Sequence, residues 1–518
     1  MVRSVAERRL AGELGGPDAG SPSAAAYEVR LAGARAAVLG RLWRGLVHDP
    51  LPWVTRREVL PDGVVLRLAD GRRLAGPPCD PWATGPGVAA LELAGRTYDH
   101  PGLLMAALDV PYGAEFAAEL DDSAASLALS RTAVPPTGSP ARSWEWEQRA
   151  PDGHPYHPGC RSRPGFTAGE QLAYAPEHGP LVPLELVAAG DALVTGDWPE
   201  WLRTGAGGRT VLVPAHPWQV RHVLARREGA PRTAGVLEAR PLLALRTLAP
   251  VDGDLPHVKT SLSARLTSSV RDISEYSVRN AAVVSRLVEE VAERLDGRLH
   301  ITRTLAAAAA PAPDLAAMLR ESPDRYADAA AGERVIPVGC LPAFPPAADP
   351  EWRASFAALA LDVGLRMLAL GVALEAHGQN LLVVVDARGL PVRLVYRDVA
   401  DIRIGPARLA GHGLTAPALT VRQQTDDPLV LRRKLFGGLV SGALGPLAGD
   451  SAGLGRILGG ALERLEGAPD APEGFAAELA ALRSDPLPVK ALTLMRLSKP
   501  GSGDVWTGLP NPVRERGA

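Results

Sequence analysis

The chain has 518 residues, 46% of them hydrophobic and 22% charged, with a formal net charge of −2. That length suits two or three domains around a large core, the composition is that of a soluble globular protein, and near-neutrality argues against nucleic acid as the partner of the whole chain. Cys79, Cys160 and Cys340 stand too far apart for a zinc pattern or a disulfide framework, and no run of about 18 uncharged apolar residues suggests a membrane span. The N-terminus carries two Glu and no apolar core, so the expectation is a cytoplasmic protein without a secretory signal. Of 56 basic residues only Lys259, Lys434, Lys490 and Lys499 are lysines. Where Arg is the default cation, a retained Lys suggests a need for a compact ammonium.

Residues 1–14 and 27–48 have helical periodicity, separated by a turn-like GGPDAGSPS stretch. From 53 to 93 short β-branched runs alternate with Asp-Gly turns, as in hairpins, before a helical pattern over 99–129. Nothing in the first 130 residues carries an evident catalytic pattern, and PPTGSP at 135–140 reads as a boundary.

Beyond it, GHPYHPGCRSRPGF at 153–166 places His154, His157, Arg161 and Arg163 in a Pro/Gly-rich loop. Two histidines three apart lack a third metal ligand nearby, so the loop reads as imidazoles and guanidiniums facing an anionic substrate rather than as a zinc site. VLVPAHPWQVRHVL reads as a strand, then His216, then a helix, with a packed core histidine as the preferred reading of His216. The run LLALRTL ends a strand-like segment with Arg246 and Thr247. Residues 259–271 read as an alternating strand and a Thr/Ser-capped turn leading into a helix. On one helical face Thr267 and Arg271 would grip a carboxylate or phosphate, and Lys259 would reach the phosphate chain. TLAAAAAPAPDLAAMLRESPD is expected to form an Ala/Pro joint and a helix without chemistry, and the Pro-rich 341–350 marks a second boundary.

The densest polar grouping is 373–398. AALALDVGLRMLALGVALEAH reads as a buried helix stopped at Gly378, and 381–385 and 392–396 read as a hairpin turned at 386–389. Asn380 and Asp398 should then lie side by side, and an amide oxygen beside a carboxylate suits Mg²⁺ bridging nucleotide phosphates. Residues 428–448 and 453–483 look helical, Lys490 and Arg496 lie in PVKALTLMRL, and the last eighteen residues read as a tail.

Taken in chain order, GHPYHP with the Arg and GF that follow at 153–166, PAHPWQ at 214–219, LRT at 245–247, K…TSSVR at 259–271, EAHGQN at 375–380 and RD at 397–398 resemble the NRPS-independent siderophore synthetases of the aerobactin-synthetase (IucA/IucC) type. The resemblance covers about 150–500. It implies an α+β fold shaped as a cupped hand, with an N-terminal thumb (1–135), central β-rich fingers (136–345), a mainly helical palm (346–500) and a tail (501–518), and ATP between fingers and palm. It implies a ligase, a homodimer without nucleic-acid or membrane partners, that adenylates a carboxylate of citrate or a related acid. The acyl group then passes to an amine or alcohol, with AMP and pyrophosphate released. ATP and Mg²⁺ are the implied cofactors.

The resemblance assigns Arg246, Thr247 and Lys259 to the phosphates, with Thr267 and Arg271 beside the nucleotide. Gln379, Asn380 and Asp398 would serve nucleotide and Mg²⁺, with Glu375 as a further metal ligand. Thr267, Ser268, Arg271 and His377 would hold the carboxylate substrate, supported by His154 and Arg161, and Lys259, Arg271 and His377 are the catalytic candidates. Ala244 stands where the family often has Ser, and Arg161 where it often has Lys. Two alternatives compete: a kinase-like phosphotransferase on the same hairpin, for which no Gly-rich loop or Asp base is evident, and a non-catalytic iron-siderophore binding or reductase module. The second is suggested by a C-terminal likeness to ferric-siderophore reductases but lacks their clustered cysteines.

Overall fold

The computed structural model describes residues 3–15, 22–85, 87–205, 210–227, 232–266, 269–420, 422–484, 486–499, 501 and 503–513. An N-terminal layer sets helices Val5–Leu14, Ala24–His48, Pro101–Leu108 and Gly113–Ser130 against a five-stranded antiparallel meander. The expected 99–129 helix is thus two, broken where Asp109 and Tyr112 take left-handed backbone. Leu31, Val38, Leu42 and Phe116 meet in its core.

The centre is a nine-stranded sheet among the described residues, in the order Leu193–Gly196, Thr304–Ala309, Ala316–Arg320, His257–Thr260, Thr247–Pro250, Thr233–Pro241, Val182–Ala189, Thr210–Ala215 and Arg203–Thr204. The Ala-rich run expected to end in a helix is instead the hairpin Thr304–Ala309 and Ala316–Arg320 in this sheet. Its alanines are buried against neighbouring strands, and such packing overrides a weak helix propensity. The strand-like LLALRTL is also corrected. Thr233–Pro241 ends before it, Leu245 has left-handed backbone in a turn, and Thr247 opens the next strand.

Behind the sheet lies a smaller one, Leu299–Ile301, Pro391–Tyr396, Leu381–Val385 and Arg334–Pro337, whose two middle strands are the expected hairpin. Strands on both sides of residue 345 contribute to it. The helix before it, Pro350–Ala369, starts at an Asp349 cap and stops at Ala369, not at Gly378. Gly371, in left-handed backbone against Gly405 and Leu409, turns the chain into the short strand Val372–Ala373.

Helices Pro428–Phe436, Ser451–Leu465 and Phe475–Ser484 complete this side, with a wide-turned helical stretch at Gly437–Leu444. The C-terminal residues expected to be a tail return as strand Trp506–Leu509 paired with Leu487–Lys490. Between those strands the short helix Leu492–Arg496 docks on the N-terminal layer, where Asp49 accepts the backbone N–H groups of Thr493 (2.9 Å) and Leu494 (3.1 Å). A Cβ at Gly45 would lie 1.9 Å from Thr493 Oγ1, so only glycine admits this contact. Among the described residues no helix is long and apolar enough to cross a membrane.

Candidate functional site

The central sheet and the 381–396 hairpin meet at one carboxylate. Lys259 stands opposite Thr247 in the sheet, Arg320 ends an adjacent strand, and Asp398 follows the hairpin with left-handed backbone, which Asp tolerates better than most residues. Asp398 accepts Lys259 Nζ at 2.6 Å and Arg320 Nη2 at 2.9 Å. Burial, and then the Arg320 charge, pull Lys259 down to about 7. Burial works the other way on Asp398, but Arg320 and Lys259 overcome it and hold the carboxylate well below its usual range.

The segment 375–380 lies alongside, since Arg397 N–H donates to Asn380 O (2.9 Å) and so seats Asn380 next to the Asp398 turn. His377 Nδ1 accepts the Gln379 N–H at 3.3 Å, and burial lowers the imidazole, so the neutral ring carries its proton on Nε2 as a donor at the cavity wall. Gly378 is held by close backbone approach, with a Cβ there 2.9 Å from Gly339 N. Asn380 Nδ2 donates to Glu375 O, and its amide oxygen has no hydrogen bond among the described residues. Glu375 Oε1 takes both Lys434 (3.1 Å) and Lys490 (3.2 Å), which also reach Asp401 and Asp504, each at 3.1 Å.

Arg246 donates to the carbonyl of Arg271, and burial pulls its guanidinium down to about 10 and lowers that of Arg271 as well. Arg271 lies on a strand, Ser269–Arg271, paired with Leu262–Leu266, so the shared helical face expected for Thr267 and Arg271 is overturned. Thr267 and Ser268 lie outside the described residues. His154 faces the cavity with its surface open yet is enclosed by the walls, which keeps the imidazole well below its ordinary value. Arg161 lines the same space, but its donors go to Ala150 O (2.5 Å) and Pro151 O (2.7 Å), fixing its own loop. His216 caps helix Pro217–His222 through Nδ1 and is fully buried, a core histidine.

Lys259, Arg320, Asp398, Arg246, Arg271, Asn380, Glu375, His377, His154 and Arg161 line one cavity of about 1640 Å³. Its described lining has sixteen Arg and Lys side chains against seven Asp and Glu, in a chain whose net charge is −2. All four lysines are at it: Lys259, Lys490 and Lys499 on the wall, and Lys434 behind Glu375 in a side chamber of about 90 Å³. Sequence reasoning missed Arg320, Asp401, Lys434 and the N-terminal Arg41 and Arg44. Scarcity pointed to Lys434, whereas nothing distinguishes Arg320 from the other arginines.

The oxygens here that could hold Mg²⁺ are Asn380 Oδ1, the Glu375 oxygen not engaged by lysine, and Asp398. Among the described residues no three His, Cys, Asp or Glu gather as a metal site. Two or three protein oxygens fit a Mg²⁺ that arrives on nucleotide phosphates, the usual arrangement for that ion.

Residues 142–343 match the family model described as the IucA / IucC family, and 350–505 that of the ferric iron reductase FhuF-like transporter. A Staphylococcus aureus relative named 2-[(L-alanin-3-ylcarbamoyl)methyl]-3-(2-aminoethylcarbamoyl)-2-hydroxypropanoate synthase is 24% identical over 332 residues, 51% of this chain and 53% of the relative. The chain thus spans about half the length of the curated relatives it matches. The petrobactin biosynthesis protein AsbB from Bacillus anthracis superposes with a TM-score of 0.79 at 17% identity, over 100% of this chain and 99% of that one. ATP-bound aerobactin synthetase IucA from Klebsiella pneumoniae gives 0.69 at 18% identity, over 92% and 99%. The mixed α+β fold is the one these structures share.

Proposed function

We propose that the chain is a siderophore synthetase of the IucA/IucC type, whose family model its residues 142–343 match, and that it joins a carboxylate of citrate, or of a citrate-like acid, to an amine or alcohol at the expense of ATP. A carboxylate oxygen attacks the α-phosphorus, an O–P bond forms, the bond to the β-phosphate oxygen breaks and pyrophosphate leaves. The nucleophile then attacks the acyl carbon, AMP leaves with the C–O bonding pair, and the proton of the nucleophile passes to solvent. Charge builds on phosphorus oxygens and on departing pyrophosphate, so fixed cations are what such a site needs.

In this reading the cupped-hand division near 135 and 345 puts ATP between the central sheet and the hairpin side. Lys259, Arg246 and Thr247 take the phosphates. Asn380, Asp398 and Glu375 would hold Mg²⁺, which would screen the leaving group, with Gln379 beside the nucleotide. His377 donates through Nε2–H to the carboxylate, next to Arg271, with Thr267 and Ser268 completing that pocket and His154 on the facing wall. Arg161 acts by holding the 150–163 loop. Lys259 and Arg320 both bond Asp398, and phosphates that draw these cations towards themselves would free the carboxylate for the metal.

The observation that carries this reading is the convergence of Lys259, Arg320 and Asp398, from segments 139 and 78 residues apart, in one strongly basic cavity with His377 and Asn380. Exchange of labelled pyrophosphate into ATP, measured with a panel of carboxylic acids, tests it. Exchange dependent on citrate or a near relative is expected. Release of ADP instead of AMP would favour the kinase-like alternative.

A further inference from the structure

Two cations on the cavity wall have no ion pair among the described residues, although Asp152 acts on Arg41 from a distance. Arg41 and Arg44 lie three residues apart on helix Ala24–His48, 9% and 8% exposed. Arg41 donates to Cys160 Sγ (2.8 Å) and Asp152 O (3.1 Å), while Arg44 donates to Pro81 O (2.6 Å) and lies over the Tyr156 ring at 4.2 Å. Among the described residues neither has a carboxylate within 4.0 Å, and Asp49 and Asp80 act on Arg44 only from farther away. Most other buried cations here do have one: Lys259 and Arg320 share Asp398, Lys434 has Glu375, Arg397 has Glu147, and Arg163 has Glu177. A charge buried without an opposite charge is costly, so a pair kept this way suits an incoming anion.

The position says which anion. Arg44, His154 and His377 all line both the main cavity and the side chamber, and Arg41 lines the main cavity. The pair comes from helix Ala24–His48 and shares one space with the carboxylate-activating groups, where a second substrate bound in the same cavity meets it. The acids of the cavity are largely engaged, Asp152 by Arg131, Asp401 and Asp504 by lysines, and Asp80 by Ser451. That leaves little to receive the extra ammonium groups of a polyamine. Resting on the synthetase reading above, we propose that Arg41 and Arg44 form a second anion subsite that takes a carboxylate of the acyl acceptor. The acceptor is then an amine or alcohol bearing its own carboxylate, of amino-acid type, rather than a polyamine.

Matched pairs of acceptors test this: 2,3-diaminopropionate against ethylenediamine, and ornithine against putrescine, each with citrate and MgATP, reading AMP release and product mass. The carboxylated member should be preferred by about tenfold or more, the range of one charge-assisted contact. In Arg41→Leu and in Arg44→Met the KM of the carboxylated amine should rise about tenfold towards that of its decarboxylated partner. The loss should fall on that KM and not on the citrate KM in pyrophosphate exchange, and Arg44→Lys should recover part of it. Preference for the diamines, no reaction with either class while exchange is intact, or a raised citrate KM in both variants would overturn the subsite. Absence of exchange with every acid would instead overturn the synthetase reading and take the subsite with it. If Arg44→Met does not fold, Arg41→Leu decides.

Discussion

The two sides of the cavity hold their cations differently. On the sheet-and-hairpin side two carboxylates are each shared by two cations, Asp398 by Lys259 and Arg320, and Glu375 by Lys434 and Lys490. On the N-terminal side Arg41 and Arg44 rest on carbonyls, a thiol and a ring face. Shared pairs keep a deep site stable until a polyanion and its metal exchange with them. Cations without an ion pair keep a standing field for a smaller anion, at a cost in stability.

The sharpest way to break this contrast is Asp398→Ala. It would leave Lys259 and Arg320 buried without their acid, and we expect citrate-dependent exchange to fall about 10³-fold with about 3–5 kcal/mol of stability lost. Near-normal exchange in a folded variant would remove Asp398 from the chemistry. Next comes Glu375→Gln, which weakens both lysine contacts and one proposed metal oxygen. The Mg²⁺ concentration for half-maximal exchange should rise about 10–100-fold, and an unchanged Mg²⁺ titration would confine Glu375 to structure.

A third test concerns Asp49, at the end of the helix that carries Arg41 and Arg44. Burial pushes its carboxyl up to about 6, against the pull of the Leu494 and Thr493 N–H groups. The folded state then binds the proton more tightly than the unfolded chain. The stabilisation is complete below about pH 4 and is lost as pH rises through about 6, at most ~1.4 kcal/mol per pH unit. Denaturant titrations from pH 4 to 7 should show that decline, and Asp49→Asn, which keeps an oxygen for the two N–H groups, should flatten it. The smallest effect is ionic. With sixteen basic side chains on the wall, ATP binding should weaken by about threefold between about 0.05 and 0.5 M salt, and salt-independent binding would count against the field drawn here.

The sequence shows the hairpin plainly, because Leu381–Val385 is a β-branched run closed by a turn, and with it the approach of Asn380 to Asp398. The lysine count pointed to Lys434 and Lys490 before either had a partner. Arg320 was hidden for a physical reason. It ends an Ala-rich segment whose local preference is helical, and only packing between two strands of the large sheet makes it extended. The LRT turn was hidden likewise, since the left-handed backbone at Leu245 is no property of leucine. Arg41 and Arg44 are unremarkable helix residues until the 150–163 loop closes over them.

The clasp between Asp49 and the N–H groups of Thr493 and Leu494 joins residues 444 and 445 apart. On a translating ribosome the N-terminal layer therefore emerges, and has time to collapse, long before its last contact exists. Lys490, and with it the second hand on Glu375, arrives in the same late stretch. Nascent chains stalled short of about 490 would carry the sheet, the hairpin and most of the cations yet present an open, uncatalytic trough, so binding competence is withheld until the 487–496 stretch has been made.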